Sequence, residues 1–306
     1  MKTRSMIIFS CMVMLGGMPA ACAPTDKARI DTLAAEAVAA LPEIEVGRVP
    51  VPTKTAIPPT PEPTLAPGDT RISPIDGMEM VYVPEGEFTM GRNNDIRNER
   101  PEHQVTLSAY WIDKTEVTND MYAQCVAEGA CDPPTQLGSS SQDSYYDNSV
   151  YADYPAIYVN WHEAKAYCEW AGRQLPTEAQ WEKTARGTNG LIYPWGDTSP
   201  TSDLANYGDK VGDTTEVCSY PDGNSPYGAC DMAGNVTEWV ADKYDYYYYG
   251  TSPTNNPTGP ADGNDRSMRG GSWWSGTGSI RSASRDGSGP GYSNQDYGFR
   301  CSLSLP

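Results

Sequence analysis

The chemistry in this chain is concentrated in eight cysteines, two histidines and one run of hydroxyl, indole and guanidinium groups. The run is RGGSWWSGTGSIRSASR, residues 269–285. Ser275 offers a hydroxyl, but no histidine lies near it in sequence to act as its base. The glycines of RGGSWWSGTG do not make a phosphate loop, because the lysine and the strand-to-helix setting are both missing. His103 and His162 with a carboxylate would suit a two-histidine iron site. His103 leads into a strand and His162 starts a helix, so both read as structural. What remains is a surface. Trp273, Trp274, Ser275, Arg281 and Arg285, with Tyr244 and the tyrosines at 246–249, are the candidate lining of a groove for a peptide or glycan. Indole and phenol rings join apolar area to a polar handle, which suits either ligand. The competing reading is that several of them pack the loop core.

The elements that would hold this surface begin after a leader. Lys2 and Arg4 precede an apolar stretch at 6–18 that is short for a bilayer span, then small residues and Cys22. Residues 1–22 read as a secretory signal, with Cys22 in a lipoprotein-type cleavage box; plain cleavage near Ala21 and an uncleaved anchor are the alternatives. Acyl chains on Cys22 would anchor the protein outside the cytoplasm, at about 0.8 kcal/mol per buried methylene. Residues 23–70 read as a short helix at 26–41 and a proline- and threonine-rich spacer at 49–68, extended at about 3 Å per residue. The folded domain is expected over 71–306. A formal charge of −18 argues against a nucleic-acid partner, whose phosphates would be repelled.

Within the domain, residues 77–91 alternate apolar and polar around Pro84-Glu85-Gly86 and predict a β-hairpin. Residues 104–112 predict one strand. Thr118 predicts a helix start running to Ala127. Asn160 with Glu163, and Thr177 with Gln180, are capping boxes that predict two more helices, ended by Gly172 and Gly187. Residues 134–155 predict an ordered surface loop. The polar, glycine-rich remainder cannot make long elements, so the fold needs other supports.

Cysteine supplies one. Apart from Cys11 and Cys22, six remain, an even number that in an exported domain argues for three disulfides among fifteen possible pairings. The pairing preferred here joins Cys125 to Cys131, Cys218 to Cys230, and Cys168 to Cys301. A zinc site is the weaker reading, since no C-x-x-C pair exists.

Taken in order, VPEGEFTMG (83–91), YWIDKTEVTNDMY (110–122), YPAIYVNWHEAKAYCEWAGRQLPTEAQWEKTARG (154–187), YPWGD (193–197), DMAGNVTEW (231–239), RGGSW (269–273) and GFRC (298–301) resemble the formylglycine-generating enzyme family, the sulfatase-modifying factors. The resemblance implies a single α+β domain with little regular structure, related to C-type-lectin-like domains. It supports the bridge from Cys168 to Cys301. It implies calcium at two places. At the first, Asn206 and Asp209 give side chains and Tyr207 and Val211 give carbonyls, with Asp213 as an alternative. At the second, Asp231 and Glu238 give side chains and Gly234 and Val236 give carbonyls. Formylglycine-generating members bind Cu(I) through two cysteines spaced C-x4-C after the RGGS block. Those positions fall here on Ser275 and Ile280, so copper is not expected: a neutral hydroxyl does not replace a soft thiolate. The resemblance therefore points to a non-catalytic binding module, with formylglycine-type oxidation of protein cysteine as the alternative.

Overall fold

The computed structural model describes residues 65–93 and 96–305. The signal, Cys22 and nearly all of the spacer lie outside the described residues.

Among the described residues, ten short strands make three sheets. The first has the order β1 (Thr70–Ile72), β2 (Glu79–Val83), β5 (Tyr110–Asp113), β10 (Ser302–Ser304), all antiparallel. The second pairs β3 (Gly86–Met90) with β4 (His103–Leu107). The third has the order β8 (Arg285–Ser288), β7 (Arg266–Arg269), β6 (Thr237–Lys243), β9 (Tyr297–Phe299), with β6 and β9 parallel. Three α-helices complete the described α+β domain: α1 (Asn119–Ala127), α2 (Trp161–Trp170) and α3 (Glu178–Arg186).

The helix starts follow the local chemistry read above. Thr118 accepts from Met121 N, and both capping boxes close, Asn160 with Glu163 and Thr177 with Gln180. Two strand expectations are corrected. Residues 77–91 are not a hairpin, because β2 pairs with β1 and β5 while β3 pairs with β4. Alternation reports which faces are buried, and leaves the partner strand open. Residues 104–112 are two strands in two sheets, broken at Ser108, whose N–H donates to Asn256 Oδ1 at 2.9 Å. The segment 134–155 is tied inward by Tyr145, fully buried, whose hydroxyl donates to Pro155 O at 2.7 Å.

The three disulfides join Cys125 to Cys131, Cys168 to Cys301 and Cys218 to Cys230. A second support was not anticipated. Arginines are buried opposite carboxylates across distant parts of the chain: Arg173 with Asp76 and Asp113, Arg269 with Glu182, Arg285 with Glu178, and Arg300 with Glu238. Such pairs gain little over a well-packed apolar core, but each leaves a costly charge if its partner is misplaced. They thereby fix how short strands and loops meet.

Candidate ligand site and cation-binding loops

The ligand site is built on a turn. After β7 the chain reverses through Gly270 and Gly271. Gly271 has φ +62°, and a Cβ there would lie 2.9 Å from Ser279 O. The turn 272–275 closes with Ser275 N donating to Ser272 O at 2.9 Å. Ser272 N donates to Ser275 Oγ at 3.0 Å, so this hydroxyl oxygen serves the turn. Trp273 is locked inside: its N–H donates to Asn235 O at 2.9 Å and its carbonyl accepts from Asp209 N at 2.8 Å. Trp274 stands outside, 65% exposed, with its ring edge-on to Trp273 at 6.0 Å.

Across from the turn lies the segment 294–296. Ser272 Oγ donates to Asp296 Oδ2 at 2.8 Å. Between the two lies a cavity of about 300 Å³ lined by Trp273, Trp274, Asn294, Gln295 and Asp296. Burial pushes the Asp296 carboxyl above its ordinary value, partly offset by the Ser272 hydrogen bond. A smaller recess of about 150 Å³, polar in character, includes Ser275, Ser279, Ser284 and Asp286.

The structure separates residues that the sequence reading grouped. Trp274 and Ser275 face these cavities. Trp273 is 1% exposed and belongs to the interior, touching the larger cavity only as its wall. Arg281 is buried and grips Glu99 through two bonds of 2.7 and 2.6 Å. Arg285 grips Glu178 through two bonds of 2.7 Å and lies against the Tyr244 and Tyr249 rings. The guanidinium groups of Arg281 and Arg285 are thus engaged by carboxylates inside the fold, while Arg285 also borders the smaller recess and Trp273 the larger cavity. Ile280 is buried with Tyr193, Ala205, Tyr207 and Ala233. Of the tyrosine run, Tyr248 and Tyr249 are buried, while Tyr246 and Tyr247 are exposed. His103 contacts Pro101 O and the Tyr249 ring, and His162 is exposed at the start of α2.

The two loops named for calcium meet each other. Gly234 has φ +86°, and a Cβ there would fall 2.1 Å from Asn206 O. Asn235 N donates to that same carbonyl at 2.9 Å. In the first set, Asn206 Oδ1 is buried without a partner, which fits a cation ligand. Asp209 and Val211 are exposed. The alternative, Asp213, is already satisfied: Ser139 Oγ, Ser141 N and Oγ, and Thr214 N all donate to it. In the second set, Glu238 receives Arg300 through two bonds of 2.7 Å and Trp181 Nε1 at 2.8 Å, so a guanidinium already faces it. Asp231 accepts from Cys218 N at 2.7 Å.

Glu116 was missed in the sequence and changes this picture. It is fully buried, accepts from Asn235 Nδ2 at 3.0 Å, and its Oε2 has no partner. Burial first, then the neighbouring carboxylates, push Glu116 well above the usual range. Burial likewise raises the Asp231 carboxyl above its ordinary value. Glu116, Asp231 and Glu238 thus face one guanidinium, Arg300, and a proton or a cation would relieve the excess. No three of the described His, Cys, Asp and Glu residues converge as a metal set, so any ion here would lean on carbonyl and amide oxygens. Glu116 carried no local signal, because its partners come from 231–238 and 300.

A family model described as the sulfatase-modifying factor enzyme 1-like domain matches residues 68–305. The chain belongs to this family. A formylglycine-generating enzyme of Streptomyces coelicolor is 32% identical over 302 residues, covering 79% of this chain and 94% of that one. A serine/threonine-protein kinase pkn1 of Chlamydia pneumoniae is 37% identical over 249 residues. That match covers 74% of this chain and 38% of the relative, so the chain spans well under half of that kinase's length. The solved structure of PvdO from Pseudomonas aeruginosa has the same fold, with a TM-score of 0.66, 27% identity, and coverage of 79% of this chain and 100% of that one.

All six described cysteines are in disulfides, and Ser275 and Ile280 stand where the thiol pair of formylglycine-generating members is expected. One of those positions is a hydroxyl bound into a turn, and the other is an aliphatic side chain in the core. This donor set does not fit Cu(I).

Proposed function

We propose that this chain is a lipid-anchored, extracytoplasmic binding module that uses the sulfatase-modifying factor scaffold without its thiol chemistry. The observation that carries the reading is that no cysteine lies between Cys230 and Cys301, where the resemblance implies a thiol pair, and that all six described cysteines are in disulfides. A cavity walled by an exposed indole and two amides supports binding of a protein or saccharide. Cys22 carries the proposed lipid, and Cys22→Ser should move the protein from the detergent phase to the aqueous phase on partitioning. The rival is oxidation of a protein cysteine to formylglycine, which the coverage of the Streptomyces relative favours. It is tested by incubating the purified protein with Cu(I), oxygen and a cysteine-containing peptide. No aldehyde is expected by mass spectrometry, and its appearance would sink the non-catalytic reading.

Calcium is proposed as a structural ion at the loops where Asn206 meets Gly234, on the strength of the unpaired Asn206 Oδ1 and the excess of buried carboxylate. Added chelator should lower the melting temperature and calcium should restore it. Unchanged melting in saturating chelator removes the ion from this reading.

A further inference from the structure

We propose that the cavity between Trp274 and the segment 294–296 is a saccharide subsite that takes a neutral pyranose ring. The proposal rests on the binding-module reading and names its ligand class. Trp274 is 65% exposed, yet the turn 272–275 fixes its backbone. A rigid indole left in water is a ready platform for a flat apolar face, and the C–H face of a pyranose is one.

The opposite wall is equally fixed. Asn294 O accepts from Tyr158 N at 3.0 Å and from Tyr297 N at 3.2 Å, and Asp296 O accepts from Thr237 N at 2.8 Å. Its polar side chains keep unused capacity. Asn294 Oδ1 takes Gln295 N at 2.9 Å, which leaves Nδ2 to donate elsewhere. Asp296 Oδ2 takes Ser272 Oγ, while its Oδ1 is buried with no partner. Asn294 and Asp296 thus bring an amide donor and an orphan acceptor oxygen to the residues that line one cavity. Unmatched buried polar atoms cost free energy, which a matching group or its bridging water relieves. A sugar hydroxyl both donates and accepts, so neighbouring hydroxyls match this mixture without formal charge.

Size and charge narrow the class. A cavity of about 300 Å³ sits at the low end of small-molecule sites and suits one ring rather than a long segment. The chain's charge of −18 disfavours acidic sugars. A lysine side chain is the chemical rival, since Trp274 and Asp296 would both attract it. It would leave the amide donor of Asn294 unmatched, because an ammonium only donates.

The purified protein would be titrated with oligosaccharides of glucose, mannose and N-acetylglucosamine, and separately with a lysine-rich peptide, by tryptophan fluorescence and calorimetry. Saturable binding of a neutral oligosaccharide is expected, indifferent to salt. Trp274→Ala should weaken it about tenfold or more with an unchanged melting temperature. Asp296→Asn should weaken it less. Binding of the peptide alone, abolished by salt and by Trp274→Ala, would overturn the saccharide assignment and leave the binding module standing. Sugar binding that survives both substitutions, or no sugar binding at all, would also overturn it. Turnover of a bound sugar would instead overturn the non-catalytic reading and leave sugar recognition in place.

Discussion

The two ends of the stretch 269–285 and its middle differ in nearly every physical respect, although composition alone does not distinguish them. At the ends, Arg269, Arg281 and Arg285 are buried against Glu182, Glu99 and Glu178, each a long way off in sequence. In the middle, Trp274 and the residues at 276–279 are exposed on a turn held by its own atoms and by backbone bonds to Asn235, Asp209 and Gly208. The ends specify where β7 and β8 sit relative to α3. The middle is positioned by them and is free to meet a ligand. Residue types that commonly recognise ligands can therefore serve as scaffold, and their surroundings decide which.

The largest effect should come from breaking an end. Arg285→Ala leaves Glu178 buried without its closest guanidinium, and should cost about 3–5 kcal/mol in urea denaturation. A loss below about 1 kcal/mol would show that the ends are not the scaffold.

Next in size is the joint between end and middle. Gly271→Ala places a methyl group against Ser279 O in a left-handed conformation, and should cost on the order of 1–3 kcal/mol. It should also weaken any ligand binding that depends on Trp274. Equal stability with intact binding would mean that the turn adapts.

A pH profile probes the same scaffold more gently. Burial, then repulsion from Glu178, pushes the Asp242 carboxyl up to about 8, and burial pushes Asp113 up to about 7 despite Arg173. Both folded values lie above the ordinary carboxylate value near 4, so the folded state holds protons that the unfolded state releases. Their contribution favours folding at low pH and is lost as pH rises from about 4 through 7 to 8. Asp242→Asn can still accept from Glu178 N, so it should remove the upper part of that fall. Melting temperatures measured across the range test this, and an unaltered profile would show that Asp242 does not titrate there.

The smallest stability effect belongs to the middle itself. Trp274→Ala should change unfolding free energy by less than about 0.5 kcal/mol, because the ring packs little. A loss comparable to that of Arg285→Ala would erase the distinction between the two regions.

Much of the local structure was legible. Thr118, Asn160 and Thr177 announce helices because a cap needs only a residue and its neighbours three positions on. The strand partners were not legible, since the alternation at 77–91 is equally consistent with a hairpin and with strands in separate sheets. In the ligand site, Trp274 and Ser275 could be named from their stretch, whereas Asn294, Gln295 and Asp296 come from a polar loop with no pattern of its own.

By itself the sequence determined the helix ends, the family framework and the lack of cysteine between Cys230 and Cys301, since each depends on residue identity at fixed spacing. The tertiary structure alone decided which indole is wall and which is platform, which arginines are spent, and that Glu116 joins Asp231 and Glu238 around Arg300. Burial and electrostatic partnership are properties of neighbours in space, and here Arg281 and Glu99, for example, are 182 positions apart in the chain.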